Sequence, residues 1–182
     1  MMERLYLLKN FIDKDDCEKI MSLCKETLTL EKARVGQSNE VRSIRKSSVA
    51  FIKNIEEVDN KLVNFLKQNI ILKGFEVTGL SDYQFTEYGL GEYYDWHTDS
   101  SKEYNNRYYS VVIQLNDEYD GGILEIEDID KKIIQLEKGV GNMCIFQSNL
   151  LHRVTPVNEG VRYSLVNWVS LNKIDSFKKT LI

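Results

Sequence analysis

His97 and Asp99 stand two apart in the run Tyr93-Tyr-Asp-Trp-His97-Thr-Asp99. On an extended strand successive side chains face opposite ways, so this spacing predicts an imidazole and a carboxylate on one side and Thr98 on the other. That parity suits two ligands of one metal ion. A ferrous ion that keeps coordination positions open wants about three protein ligands on one face, two imidazoles and a carboxylate. The chain has only two histidines, so the third ligand is expected to be His152. Two histidines and a carboxylate also hold zinc in hydrolases, where the open position activates water. What separates the two is an anion-binding group, and Arg162 offers one. In Val161-Arg-Tyr-Ser-Leu-Val-Asn-Trp168 it shares a predicted strand face with Ser164, Val166 and Trp168. Its planar fork can grip a carboxylate bidentately, where a lysine acts only as a point charge.

The elements that must position these residues fall into two regions. Asp13 is expected to cap a helix reaching about Leu28, with Asp15 and Asp16 at its positive end and Cys17, Ile20, Met21, Cys24 and Leu28 on its buried face. A second helix is predicted from a capping box of Asn54 and Glu57, with the stripe Ile55, Val58, Leu62, Phe65, Leu66 and Ile70 ending before Gly74. Between them, residues 31–40 read as a polar loop, and Arg42, Arg45 and Lys46 read as a solvated strand edge that discourages association. Beyond Gly74 short β-like runs alternate with turn signals at Gly79, Gly89-Leu-Gly91, Asp120-Gly-Gly122, Asp128-Ile-Asp130, Gly139-Val-Gly141 and Asn158-Glu-Gly160, which implies a sandwich or barrel.

Composition bounds the class. The 182 residues are one domain's worth, with 42% apolar and 29% charged side chains. A net charge of −4 gives no support to nucleic-acid or anionic-membrane binding. No run approaches the roughly 18 apolar residues of a membrane span, and Met1 to Asn10 lacks a signal-peptide core, so the cytoplasm is the expected compartment. Cys17, Cys24 and Cys144 form no paired motif and are expected as buried apolar residues.

The pattern Tyr88-x5-Tyr94-x2-His97-x-Asp99, then His152-x9-Arg162, then Trp168, resembles the 2-oxoglutarate/Fe(II)-dependent dioxygenases of the prolyl 4-hydroxylase type, over about residues 81–170. The resemblance implies a mainly β fold, a double-stranded β-helix (jelly roll) backed by two α-helices, as a single domain with residues 1–74 as helical support. It implies Fe(II) on His97, Asp99 and His152, and 2-oxoglutarate held by Arg162 with the Ser164 or Tyr88 hydroxyl. Dioxygen is consumed, succinate and carbon dioxide are released, and ascorbate is an optional addition. The implied reaction is hydroxylation of a peptidyl residue, above all proline, with Tyr94, Arg107 and Trp168 as substrate contacts. For the segment of Arg42, Arg45 and Lys46 the resemblance implies, as the alternative to a solvated edge, an Arg-x-Ser strand start near the substrate-entry loop. Hydroxylation of a small molecule or of another residue is the alternative, and a zinc hydrolase on the same scaffold a more distant one. One position departs from the family: Gly121-Gly-Ile-Leu124 carries leucine where many prolyl 4-hydroxylases use threonine for the cosubstrate.

Overall fold

Asp13 opens the first helix as its residue type predicts. Its carboxylate accepts the backbone N–H of Asp16 at 2.9 Å, and α1 runs Lys14–Thr27 with Cys17, Ile20 and Cys24 buried. The second helix, α2 (Glu56–Asn69), buries Val58, Leu62 and Leu66 as expected but is capped differently. Asn54 and Glu57 close no capping box. Ile55 is the N-cap, and its N–H donates to the Asp59 carboxylate at 3.2 Å. Asp59 is held in place for this by the Tyr83 hydroxyl, which donates to its other oxygen at 2.7 Å.

The computed structural model describes residues 4–34, 44–70, 75–100 and 107–173. Strand β1 (Leu5–Leu8) precedes the first helix, and β2 (Glu31–Lys32), β3 (Arg45–Lys46) and β4 (Ser48–Ile52) lie between the helices. After the second come β5 (Phe75–Leu80), β6 (Tyr83–Tyr88), β7 (Tyr93–His97), β8 (Arg107–Gln114), β9 (Tyr119–Gly121) and β10 (Leu124–Glu127). They are followed by β11 (Ile133–Gln135), β12 (Met143–Gln147), β13 (His152–Val154), β14 (Val157–Gly160) and β15 (Arg162–Lys173). The larger sheet runs β1-β12-β8-β15-β6-β4-β2, with β5 also paired to β15; the smaller runs β11-β10-β13-β7-β3, and β9 pairs β14. The strands pair antiparallel, and the two sheets face each other as the halves of a jelly roll. Glu31 and Lys32, expected in a loop, form an edge strand on Ser48 and Val49; residues 35–40 lie outside the described residues.

Period-two alternation in the larger sheet sorts its side chains into two cores. Tyr83, Phe85, Tyr109, Val111, Ile113, Leu165 and Val169 face the helices and pack with Ile20, Leu62 and Leu66. The inner face contributes Tyr88, Val112, Cys144 and Phe146 to a second core with Leu124, Ile126 and Val154 of the smaller sheet. Polar residues interrupt that inner face: Gln84, Thr86, Ser110, Gln114, Arg162 and Ser164 are all buried there. A core that accepts so many polar groups must satisfy them or use them. All three cysteines are buried and free, as expected. Among the described residues no helix is long and apolar enough to cross a membrane.

Two glycines show what the turn signals mean physically. Gly79 is no turn; it lies in β5 beside a register shift against β15, where a bulge accommodates glycine. Gly141 has φ +76, and a Cβ there would sit 1.8 Å from the Ile12 carbonyl oxygen, while its own carbonyl accepts the Phe11 N–H at 2.9 Å. Gly141→Ala is therefore expected to cost at least about 1–2 kcal/mol from the left-handed backbone, plus the clash. Thermal melting checks it, with a drop of several degrees expected for a domain of this size.

Candidate metal centre and active site

His97 is the last residue of β7, and Asp99 lies in a bend beyond the strand, so strand parity is not what aims the carboxylate. Two backbone bonds are: the N–H groups of Asp99 and Ser100 both donate to the Ser148 carbonyl, at 2.9 and 3.0 Å. His152 opens β13 directly opposite His97 and is 5% exposed. The structure thus brings together the three residues that the sequence singles out. Their ligand atoms all lie within 4.8 Å of one another. His97 Nε2 is 3.7 Å from Asp99 Oδ1, and His152 Nε2 is 3.5 Å from Asp99 Oδ2. That spacing fits one ion with donors about 2 Å away.

A shell of polar contacts fixes how each ligand presents itself. His97 Nδ1 is 2.7 Å from the Asp95 carbonyl and His152 Nδ1 is 2.9 Å from the Leu150 carbonyl. A carbonyl only accepts, so both Nδ1 atoms carry the proton and both Nε2 lone pairs face the site. Burial, reinforced by the neighbouring His152, pulls the His97 imidazole down to about 3, so it stays neutral and ready to ligate. Burial alone would raise the Asp99 carboxyl, but His152, His97 and the Ser110 hydroxyl together hold it well below the usual carboxylate range. Ser110 Oγ donates to Asp99 Oδ2 at 2.6 Å and lies 2.9 Å from Ser148 Oγ. Neither serine stood out in the sequence; a lone hydroxyl inside the apolar run Tyr109-Ser-Val-Val-Ile113 was the available signal. Ser110→Ala frees one carboxylate oxygen to turn, and metal affinity is expected to fall about 10–100-fold. Competition against a chelator measures it.

Tyr94 lies three residues before His97, which on a regular strand would put the two on opposite faces. A bulge in β7 reverses this. His152 pairs His97 and Val154 pairs Tyr94, so two steps along β13 match three along β7. The Tyr94 ring consequently stacks on the His97 ring, with centroids 3.4 Å apart and planes 11° from parallel. Arg45, opposite Tyr94 on β3, covers the other face of the phenol with Cζ 4.5 Å from its centroid. Arg45 is therefore not the solvated edge residue expected: it is 9% exposed, because the bulged strand turns its partner position inward. Lys46 next to it is exposed as expected, and Arg42 lies outside the described residues. Phe146 packs edge-on against His152 at 4.6 Å, closing the site from the larger sheet.

Arg162 is 1% exposed on the inner face of β15. Nη1 donates to Ser164 Oγ at 3.0 Å, and the guanidinium carbon lies 5.4 Å from the Tyr88 ring centroid. Nε and Nη2 are buried with no hydrogen-bond partner. Gly122 makes room for the arginine stem, since a Cβ there would stand 3.0 Å from Arg162 Cδ. Two unspent donors on a buried cation form a ready receptor for a carboxylate. Leu124 is buried in the apolar core and adds no hydroxyl there. Further along the same strand Trp168 faces Ser110 across the pair, and Arg107 lies over its indole at 3.8 Å. Residues 101–106 lie outside the described residues.

A triad of two imidazoles and one carboxylate, His152 buried and His97 and Asp99 half-buried, facing the same inter-sheet space as an arginine with unspent donors, defines a non-haem iron oxygenase centre on a jelly-roll scaffold. Residues 83–170 match the family model of the 2OG-Fe(II) oxygenase superfamily, and this match together with the site supports a 2-oxoglutarate/Fe(II)-dependent dioxygenase. Fe(II), 2-oxoglutarate and dioxygen are its cofactor and cosubstrates. A PKHD-type hydroxylase of Idiomarina loihiensis is 28% identical over 159 residues, covering 80% of this chain and 72% of that protein. A PKHD-type hydroxylase of Burkholderia ambifaria reaches 42% over 73 residues, 40% of this chain but 32% of its own length. The fold is shared with a Pseudomonas putida prolyl-4-hydroxylase at a TM-score of 0.71 and 22% identity, over 91% of both chains. It is shared equally with a Trichoplax adhaerens prolyl hydroxylase in complex with a hypoxia inducible factor peptide fragment, at 0.75 and 19%, over 91% of this chain and 83% of that one.

Proposed function

We propose that this chain hydroxylates a peptidyl residue, and that the residue is proline. The observation that carries the oxygenase half is Arg162, whose buried Nε and Nη2 lack partners on the face that also bears Ser110, the hydroxyl on Asp99. In this reading His97, Asp99 and His152 hold the iron, and Arg162 with Ser164 grips the far carboxylate of 2-oxoglutarate while Tyr88 flanks the guanidinium. A zinc hydrolase would have no use for those donors. Iron held there would activate dioxygen, which is the oxidant; 2-oxoglutarate would supply two of its four electrons and leave as succinate and carbon dioxide, and the substrate C–H bond would supply the other two. The protein's own residues orient the ligands, exclude water and place one C–H bond. Tyr94, Arg107 and Trp168 form the walls for that bond, rings with cations on their faces that suit a peptide ring and its carbonyls. The Trichoplax neighbour's complex with a peptide is consistent with this use of the fold. In this reading about 81–170 is the core of one domain, and residues 1–74 support it through the two helices and through β1–β4, which extend both sheets.

The experiment is anaerobic loading with Fe(II) and 2-oxoglutarate, then oxygen and a library of prolyl peptides, read by mass spectrometry. Addition of one oxygen atom to proline, matched one-to-one by succinate, is the expected result. Oxygen on another residue, or succinate formed only with a small molecule, would overturn the prolyl reading and leave the oxygenase class intact.

A further inference from the structure

The smaller sheet treats its two arginines differently. On its outer face Arg153 is given a carboxylate: Nε lies 2.7 Å from Glu125 Oε2. On its inner face Arg45 is given none. It is the more buried of the two, its Nε is spent on the Ser47 hydroxyl at 2.9 Å, and its plane rests on Tyr94. Among the described residues no carboxylate stands at ion-pair distance from it. A hydroxyl and an aromatic face offset only part of the cost of burying a full positive charge. Its terminal nitrogens, unlike Nη2 of Arg162, are not among the buried atoms without partners, and 9% of the residue's surface remains exposed.

The position of that fork relative to the iron ligands gives it a use. Tyr94 alone separates it from His97, by 4.5 Å from guanidinium carbon to phenol and 3.4 Å from phenol to imidazole. An extended peptide advances about 3.3–3.6 Å per residue, so a group meeting Arg45 lies within about two residues of a carbon held at the iron. We infer that Arg45 receives a carboxylate of the substrate, which is an acidic peptide or an amino acid carrying its anionic group within about two residues of the hydroxylated carbon. This rests on the proposed hydroxylase reading and adds the charge of its substrate. Arg162 takes the cosubstrate's carboxylate from the larger sheet, and Arg45 takes the substrate's from the smaller one.

The test is calorimetric binding to protein loaded with Zn(II) and 2-oxoglutarate, which cannot turn over. Two pairs of probes differ only in charge: prolyl hexapeptides with Asp or Asn one residue from proline, and L-proline against L-prolinamide. Wild type is expected to prefer the carboxylate member of one pair by about ten- to a hundredfold. Arg45→Gln should erase that preference and Arg45→Lys should keep part of it. If Arg45→Gln does not fold, Arg45→Met, which can still pack on Tyr94, provides the uncharged comparison. Discrimination in the peptide pair identifies an acidic peptide. Discrimination in the proline pair alone fells the peptidyl reading while the anion site stands. Equal binding within both pairs, or a preference that survives Arg45→Gln, overturns the inference; hydroxylation of the Asn peptide would then still leave the peptidyl reading in place.

Discussion

Arg162→Met is expected to abolish saturation by 2-oxoglutarate at ordinary concentrations while leaving the unliganded protein at least as heat-stable as wild type. The two effects have opposite signs because one residue is asked to do two things. Without cosubstrate, a guanidinium at 1% exposure keeps Nε and Nη2 unpaired, and each unsatisfied donor costs about 1–3 kcal/mol. A methionine of similar length fills the same channel beside Gly122 and Tyr88 without that penalty, as apolar replacements of buried charges often do. With cosubstrate, the lost charge pair is worth about 2–5 kcal/mol, a rise in the 2-oxoglutarate requirement of roughly 30-fold to several thousandfold. Melting curves with and without 2-oxoglutarate separate the two effects. Wild type should gain stability on adding it and Arg162→Met should not. An unchanged cosubstrate requirement would remove Arg162 from the anion site.

The parts of this protein that were legible in its sequence are those set by local periodicity or by scarcity. The face of the first helix follows from Cys17, Ile20 and Cys24, and its start from Asp13, because both are decided within one or two turns. The candidate metal ligands follow from having only two histidines, with Asp99 two residues past the first. What stayed hidden depends on partners distant in the chain. Asp99 is aimed by the Ser148 carbonyl and the Ser110 hydroxyl, not by strand alternation, and no pattern near residue 99 announces either. The bulge that turns Tyr94 onto His97 is a mismatch of register between β7 and β13, visible only when both strands are placed. Arg45 was misread for the same reason: a basic residue on a short edge strand looks solvated until the bulge opposite draws it inward. The Asn54 cap failed because Asp59, anchored by Tyr83 from another element, holds the same stretch of backbone. Local rules give way here where a long-range contact fixes a group at the site of competition.

Asp99→Ala should eliminate metal-dependent turnover and, with it, the stabilisation that metal confers. The carboxylate is the only anionic member of the triad, and it is the group that both Nε2 atoms approach. Two neutral imidazoles alone leave a divalent cation without charge compensation in a buried space, so affinity falls far more than for a lost hydrogen bond. In wild type, metal at about a hundred times its dissociation constant should add about 2.7 kcal/mol. At about 2–4 °C per kcal/mol for a chain of this size, that is a rise in Tm of about 5–10 °C. Asp99→Ala should show no such rise with Fe(II) under nitrogen or with Co(II), while circular dichroism still reports both helices, since α1 and α2 pack on the opposite face of the larger sheet. Ser110→Ala, which leaves all three ligands in place, should show a reduced rise. A full metal-induced shift in Asp99→Ala would mean that the ion is held elsewhere, and the assignment of His97, Asp99 and His152 as its ligands would fall with it.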